Sequence, residues 1–243
     1  MSSSFSIRDV IRSYKTGKMH EELAGEWAAV ALYRWLSFII TPLFLRTSIS
    51  ATGVTFISVL ITLTLPLAVI LPEPFDYLFI GIIGITFNVL DCVDGNMARI
   101  TGNVTNLGQY SDFIADIIHR VFLYVTLGLV ITNSIINDSY IFLPTVIAGI
   151  SCLLAVTGRL SRIYYECKFA RNDSLPEKNN IPDRLKKAEN ILFSFISGID
   201  SLLPVFIIVA GCFNRLSFVL LWIFLYSCLD FFYSQFRIIR NLK

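Results

Sequence analysis

Charge is scarce in this 243-residue chain: Asp, Glu, Lys and Arg together make up 16 %, and histidine occurs only twice. Soluble domains carry about a quarter of their residues as charges, so the composition excludes an ordinary water-soluble fold. The net charge of +2 is modest, and no nucleic-acid partner is expected. The five cysteines, Cys92, Cys152, Cys167, Cys212 and Cys228, are scattered, odd in number and without a CxxC pair. That pattern suggests neither a disulfide framework nor a zinc site and reads as small apolar packing residues. Residues 1–20 lack the charged-then-apolar order of a signal peptide, and the chain has no internal repeat or low-complexity tract.

What is abundant is apolar: 55 % hydrophobic residues, 14 % aromatic, and a mean hydropathy of +0.67. Several runs reach the roughly 20 residues that cross a bilayer core, which predicts an all-α integral membrane protein. Six transmembrane helices are expected, at about 51–71, 77–99, 107–132, 140–168, 188–212 and 216–237. Ahead of them lies a polar lead-in, residues 1–25, with Arg8, Arg12, Lys15 and Lys18 and a short helix around 6–14. The segment 27–45 is apolar but carries Arg34, Pro42, Trp27, Tyr33 and Trp35. This mixture suits an interfacial amphipathic helix, since aromatic and basic residues favour that depth.

The distribution of charge orients the chain. With the loops at 72–76, 133–139 and 213–215 outside, Arg215 is the only basic residue there. The positive-inside rule then puts both termini and the 169–187 loop in the cytoplasm. Pro72 and Pro74 flank Glu73 in a tight exterior turn, and Pro176 and Pro182 punctuate the cytoplasmic linker.

Against this background four carboxylates are conspicuous: Asp91, Asp94, Asp112 and Asp116, where two apolar helices approach their shared loop. Ionisable groups within a membrane are costly and mark functional sites. Positions three and four apart share a helix face, so Asp91 projects with Asp94, and Asp112 with Asp116. A hairpin between the two helices brings both pairs to similar depth, and the four carboxylates converge. Without a cation they would repel one another. Oxygen-only sites suit Mg²⁺ or Mn²⁺, and two such ions about 3.5–4 Å apart clamp a displacement at phosphorus. Gly95, Ala98 and Gly108 remove bulk near the cluster, and Arg99 can meet a phosphate.

The eight residues Asp91, Asp94, Gly95, Ala98, Arg99, Gly108, Asp112 and Asp116 form the pattern D-x2-D-G-x2-A-R-x8-G-x3-D-x3-D. The pattern resembles the signature of the CDP-alcohol phosphotransferase (phosphatidyltransferase) family, with all eight positions filled. The resemblance implies transfer of a substituted phosphate from a CDP-linked donor to an alcohol hydroxyl, with release of CMP. It implies that Asp91, Asp94 and Asp112 are metal ligands and that Asp116 is both ligand and base. It further implies that Gly95, Ala98, Arg99 and Gly108 lie near the cytidine nucleotide, that two divalent ions are bound, and that the protein is a homodimer. CDP-diacylglycerol is the expected donor, which makes the product a phospholipid. The alternatives are a soluble CDP-alcohol donor with a lipid or glycan acceptor or, outside the class, a cation or proton transporter using the same carboxylates. The mostly apolar stretches 79–87 and 121–130 in the outer halves of the two helices argue against a transport path. A catalytically silent scaffold would have no physical need for all eight residues.

Residues 1–47 are accordingly read as a cytoplasmic lead-in with the interfacial helix, and 48–243 as a six-helix transmembrane catalytic domain whose site faces the cytoplasm. Arg159 and Arg162, with Arg237 and Arg240, are candidates to bind a phosphorylated acceptor, although basic residues at such helix ends commonly anchor topology. His119 is a candidate to brace a metal ligand, against the plainer reading of a packed histidine. Asn88 is a candidate polar contact, and Asp200 and Asp230 face the bundle or solvent without an assigned role. The chain departs from the family where many members read I-[ST]-P-N-x-V-T: here Ile49 and Ser50 are followed by Ala51 and Thr52, then Gly53, Val54 and Thr55.

Overall fold

The computed structural model describes residues 5–19, 22, 27–134, 142–170 and 199–242, and among these the regular elements are all helical. Most of the 133–139 loop, most of the 169–187 linker with Pro176 and Pro182, and residues 188–198 of the predicted fifth span lie outside the described residues.

Helix α1 (Ile7–Gly17) starts at Ser6, whose backbone N–H donates to Asp9 Oδ2 at 2.8 Å. Its Val10 and Tyr14 are buried, and the Tyr14 ring meets Phe38 of α2 (Trp27–Leu45) at 5.4 Å between centroids. On α2 the side chains Tyr33, Arg34, Ser37, Phe38 and Thr41 turn inward. Trp35, Ile39 and Leu43 remain exposed on the opposite side. The charge of Arg34 therefore points into the protein rather than outward with Trp35.

Helix α3 (Ala51–Thr62) is capped by Ser50, whose Oγ accepts the Gly53 N–H at 3.1 Å. The predicted 51–71 span is not one α-helix. After Thr62 it continues as a 3-10 stretch, Leu65–Ile70, with Pro66 in its first turn. Proline has no N–H to give and clashes with the preceding turn, so the α-helix ends before it.

Helices α4 (Phe75–Thr101) and α5 (Asn106–Ser134) form the hairpin that the sequence predicts, each a residue or two longer at its ends. Gly102 terminates α4 with φ 67°, a left-handed conformation that suits glycine. Thr105 then caps α5, its Oγ1 accepting the Gly108 N–H at 3.0 Å. Next come α6 (Leu143–Tyr165), running into a π-helical turn at Glu166–Ala170, then α7 (Leu203–Cys212) and α8 (Leu216–Leu242).

α4 is the central rod, with α2, α3, α5 and α7 packed on it, while α6 joins α5 to α8. Close approach depends on small residues, as expected where lipid weakens the hydrophobic drive between helices. A Cβ on Gly84 would stand 2.8 Å from Pro204 Cγ of α7, and one on Gly128 would stand 2.5 Å from Ala148 Cβ of α6. One core cluster, including Ile80, Leu127, Ile207 and Ile223, fills the bundle. A second, with Tyr33, Val54, Val89, Val93 and Met97, packs behind the aspartates.

Large apolar side chains such as Phe56, Ile82, Leu153, Phe218 and Leu229 face outward. Among the described residues five stretches are long and apolar enough to cross a membrane: Ala51–Ile70, Phe75–Thr101, Asn106–Ser134, Leu143–Phe169 and Leu216–Leu242. The chain is thus a multi-pass membrane protein. Of the expected fifth span, 188–212, the described part ends in the ten-residue α7.

Candidate functional site

The hairpin sets two acidic faces against one another near its turn. Carboxylate oxygens of Asp91, Asp94 and Asp112 lie within 4.8 Å of one another. Asp94 is buried, Asp91 half-buried and Asp112 exposed, so the cluster opens from the bundle toward the outside. Thr55 of α3 donates to Asp94 Oδ2 at 2.5 Å and fixes the innermost carboxylate. Among the described residues none of the three takes part in an ion pair. Three like charges in so small a space repel unless a cation or protons join them. An all-oxygen donor set suits a hard divalent ion, so the residues fit a metal of that kind.

The three carboxylates and Asp116 line a cavity of about 340 Å³ together with Gly95, Arg99, Asn88, His119, Arg120, Arg159 and Asp200. Asp116 shares the cavity but turns Oδ2 to Arg159 Nη1, 2.6 Å away. Three of the four predicted carboxylates therefore converge, and the fourth is held at the side by an arginine. Arg99 folds over its own helix: a Cβ on Gly95 would lie 3.3 Å from Arg99 Nη1. Its Nη2 donates to Asn96 Oδ1 at 2.8 Å, while its Nε is buried with no hydrogen-bond partner among the described residues. Ala98 and Gly108 are not among the described residues that line the cavity. Gly108 serves the start of α5, where a Cβ would stand 3.2 Å from Thr105 Oγ1 and 3.7 Å from Thr52 Oγ1 of α3.

A second cavity of about 410 Å³ continues past Asp116 and is lined by Arg120, Arg159, Arg162, Glu166, Asp200 and Asp230 among others. Each of its arginines has an acidic partner. Arg159 holds Asp116, and Arg120 meets Asp200 at 2.8 Å. Arg162 meets Asp230 at 2.7 and 2.9 Å and Ser234 Oγ at 2.5 Å. Asp200 and Asp230, which the sequence left without roles, are these partners. Arg237 lines a third cavity, about 270 Å³, beside Arg162 and Glu166, and the Arg240 guanidinium stands 5.7 Å from the Phe236 ring centroid.

His119 is buried, with Nδ1 3.1 Å from Thr62 Oγ1 and its ring stacked 3.8 Å from that of Phe87. That is the geometry of a packed histidine. Thr55, Glu22 and Asn96 were missed at the sequence level. Thr55 had one visible signal, its place in the Val-Thr pair ending the stretch that departs from the family pattern. Glu22 and Asn96 had only local signals, Glu22 four residues after Lys18 and Asn96 three before Arg99, while their bonds to Arg34 bridge residues far apart in the chain. Burial pushes the Glu22 carboxyl up, yet the hydrogen bonds and charge of Arg34 outweigh it and hold the group below its ordinary value.

Fold and site together define a multi-pass helical membrane protein with a cluster of carboxylates at a helix hairpin whose donor set fits a divalent cation. A profile of the CDP-alcohol phosphatidyltransferase family matches residues 47–229, and the chain belongs to that family. No curated protein matches it. Membership makes the protein a transferase of a phosphate-linked group from a CDP-alcohol to an alcohol acceptor in a membrane.

Proposed function

We propose that the protein transfers a phosphatidyl group from CDP-diacylglycerol to the hydroxyl of a polar alcohol, releasing CMP and making a phospholipid. The observation that carries this reading is the trio Asp91, Asp94 and Asp112, without an ion pair among the described residues, which shares one cavity with Arg99. Asp91, Asp94 and Asp112, with Asp116, hold two divalent ions, Mg²⁺ or Mn²⁺. When bound, the ions stabilise negative charge on the pyrophosphate and on the departing CMP.

The chain's own residues do the rest. Arg99 binds donor phosphate, and Gly95, Ala98 and Gly108 keep side-chain bulk away from the nucleotide. Arg159 occupies Oδ2 of Asp116, which leaves Oδ1 to take the proton of the acceptor hydroxyl. The acceptor oxygen forms a bond to the phosphorus that carries the diacylglycerol. The bond from that phosphorus to the bridging oxygen breaks, and its electron pair leaves with CMP. The alcohol approaches through the second cavity, past Arg159 and Arg162. The same chemistry applies with a soluble CDP-alcohol donor and a lipid acceptor.

In this reading residues 1–47 are a cytoplasmic lead-in with an interfacial helix, and 48–243 are a six-span catalytic domain. The site and both termini face the cytoplasm, as the bias of Lys and Arg supports, and the protein works as a homodimer. The test is to supply purified protein with CDP-linked donors, a panel of alcohols and Mg²⁺ or Mn²⁺, and to follow CMP. Acceptor-dependent CMP release is expected. Its absence across the whole panel overturns the proposal.

A further inference from the structure

The family match leaves residues 1–46 outside, yet Lys18, Tyr33 and Arg34 line the cavity beside the aspartates. Arg34 is 5 % exposed and Glu22 4 %. Burying an ion pair so deeply is costly and is weak grounds for assuming stability as its purpose. Glu22 accepts Arg34 Nε at 2.7 Å, and its other oxygen takes Nη2. The Tyr14 ring lies under the guanidinium, with the centroid 5.0 Å away.

This leaves Nη1 pointing at α4, where it donates to the Cys92 carbonyl at 3.1 Å and to Asn96 Oδ1 at 3.3 Å. The same Asn96 oxygen accepts Arg99 Nη2 at 2.8 Å. Asn96 itself is anchored from behind, its Nδ2 donating to Ser37 Oγ at 3.1 Å and Thr41 Oγ1 at 3.3 Å. One carbonyl oxygen thus serves two guanidinium groups, which repel unless one of them is neutralised. Glu22, which also meets Lys18 Nζ at 3.5 Å, neutralises Arg34. Arg99, which takes part in no ion pair among the described residues, lines the cavity as a cation.

We infer that Arg34, neutralised by Glu22, is a positioning residue for Arg99: through the shared Asn96 oxygen it aims the Arg99 guanidinium at the phosphates of the CDP-linked donor. The inference rests on the donor reading above. Asn96 sits at one of the unspecified positions of the signature, and Glu22 and Arg34 precede the family match.

The test is a double-mutant cycle on the purified full chain, reading CDP affinity by calorimetry with Mg²⁺ or Mn²⁺, and the KM of donor and of acceptor. Arg34→Lys keeps the charge that faces Glu22 but loses the planar fork. CDP affinity and donor KM are expected to worsen about tenfold, the loss of one charge-assisted hydrogen bond, with acceptor KM unchanged. Asn96→Ala has a similar effect, and Arg34→Lys added to it changes nothing more. Full additivity of the two substitutions, or equal losses for donor and acceptor, overturns the inference. If either variant fails to fold, Glu22→Gln decides: weakened CDP binding supports the inference and unchanged affinity overturns it. A parent protein that binds CDP but releases no CMP sinks the transfer reading and leaves the cycle readable. A parent that binds no CDP sinks both.

Discussion

Two kinds of acidic group share the interior of this bundle. On α4 and α5, Asp91, Asp94 and Asp112 crowd together without an ion pair among the described residues. Elsewhere among the described residues Asp200 pairs with Arg120, Asp230 with Arg162 and Glu22 with Arg34, while buried Asp76 at the start of α4 accepts the Tyr77 N–H at 2.7 Å. A matched pair completes its electrostatics within the fold, whereas an unmatched trio needs a cation or protons from outside it. Asp116 stands on the border, lining the cavity of the trio while paired to Arg159. The contrast separates acids that hold helices together from acids that hold something foreign to the chain.

The largest effect falls on the border residue. Asp116→Asn keeps the size of the side chain but cannot take a proton, so kcat is expected to fall about a hundredfold to ten-thousandfold. CDP binding, measured by calorimetry, should persist. Near-normal turnover would remove Asp116 from the role of base and place it with the structural pairs.

The next experiment sets the two classes against each other in stability. Asp200→Ala strands Arg120 inside the bundle and should cost about 3–5 kcal/mol in unfolding free energy, read by denaturation in detergent. Asp91→Asn in protein stripped of metal should do the opposite and raise the unfolding midpoint, because it relieves repulsion within the trio. Equal destabilisation by both substitutions would erase the distinction.

The smallest effect tests how the trio is held. Thr55→Val removes the hydroxyl that donates to Asp94 at 2.5 Å. A hydrogen bond to a charged group contributes about 1.5–3 kcal/mol, so the metal concentration for half-maximal activity should rise about tenfold or more. An unchanged metal requirement would show that the three carboxylates need no anchor.

Much of this was legible in one dimension. The α4–α5 hairpin follows from two long apolar runs, and the spacing of three and four residues puts each pair of aspartates on one helix face. The break in the first span is also written in the chain, at Pro66, but hydropathy averaged over twenty residues hides it. Arg34 was read as a mark of the interface, because a basic residue in an apolar helix favours that depth. It turns inward because Glu22, Cys92 and Asn96 meet it there. The sequence offers Arg159 and Arg162 as candidates for a phosphorylated acceptor or as topology anchors, and each proves to be matched by an acid on another helix.

Local pattern alone determined the helices, their apolar faces and the convergence of Asp91, Asp94 and Asp112, since helical periodicity and a short turn constrain neighbours in the chain. The tertiary structure decided which charges are matched. Pairs such as Arg162 with Asp230, 68 residues apart, depend on how separate helices rotate and dock, and no spacing rule within a single helix reaches that far.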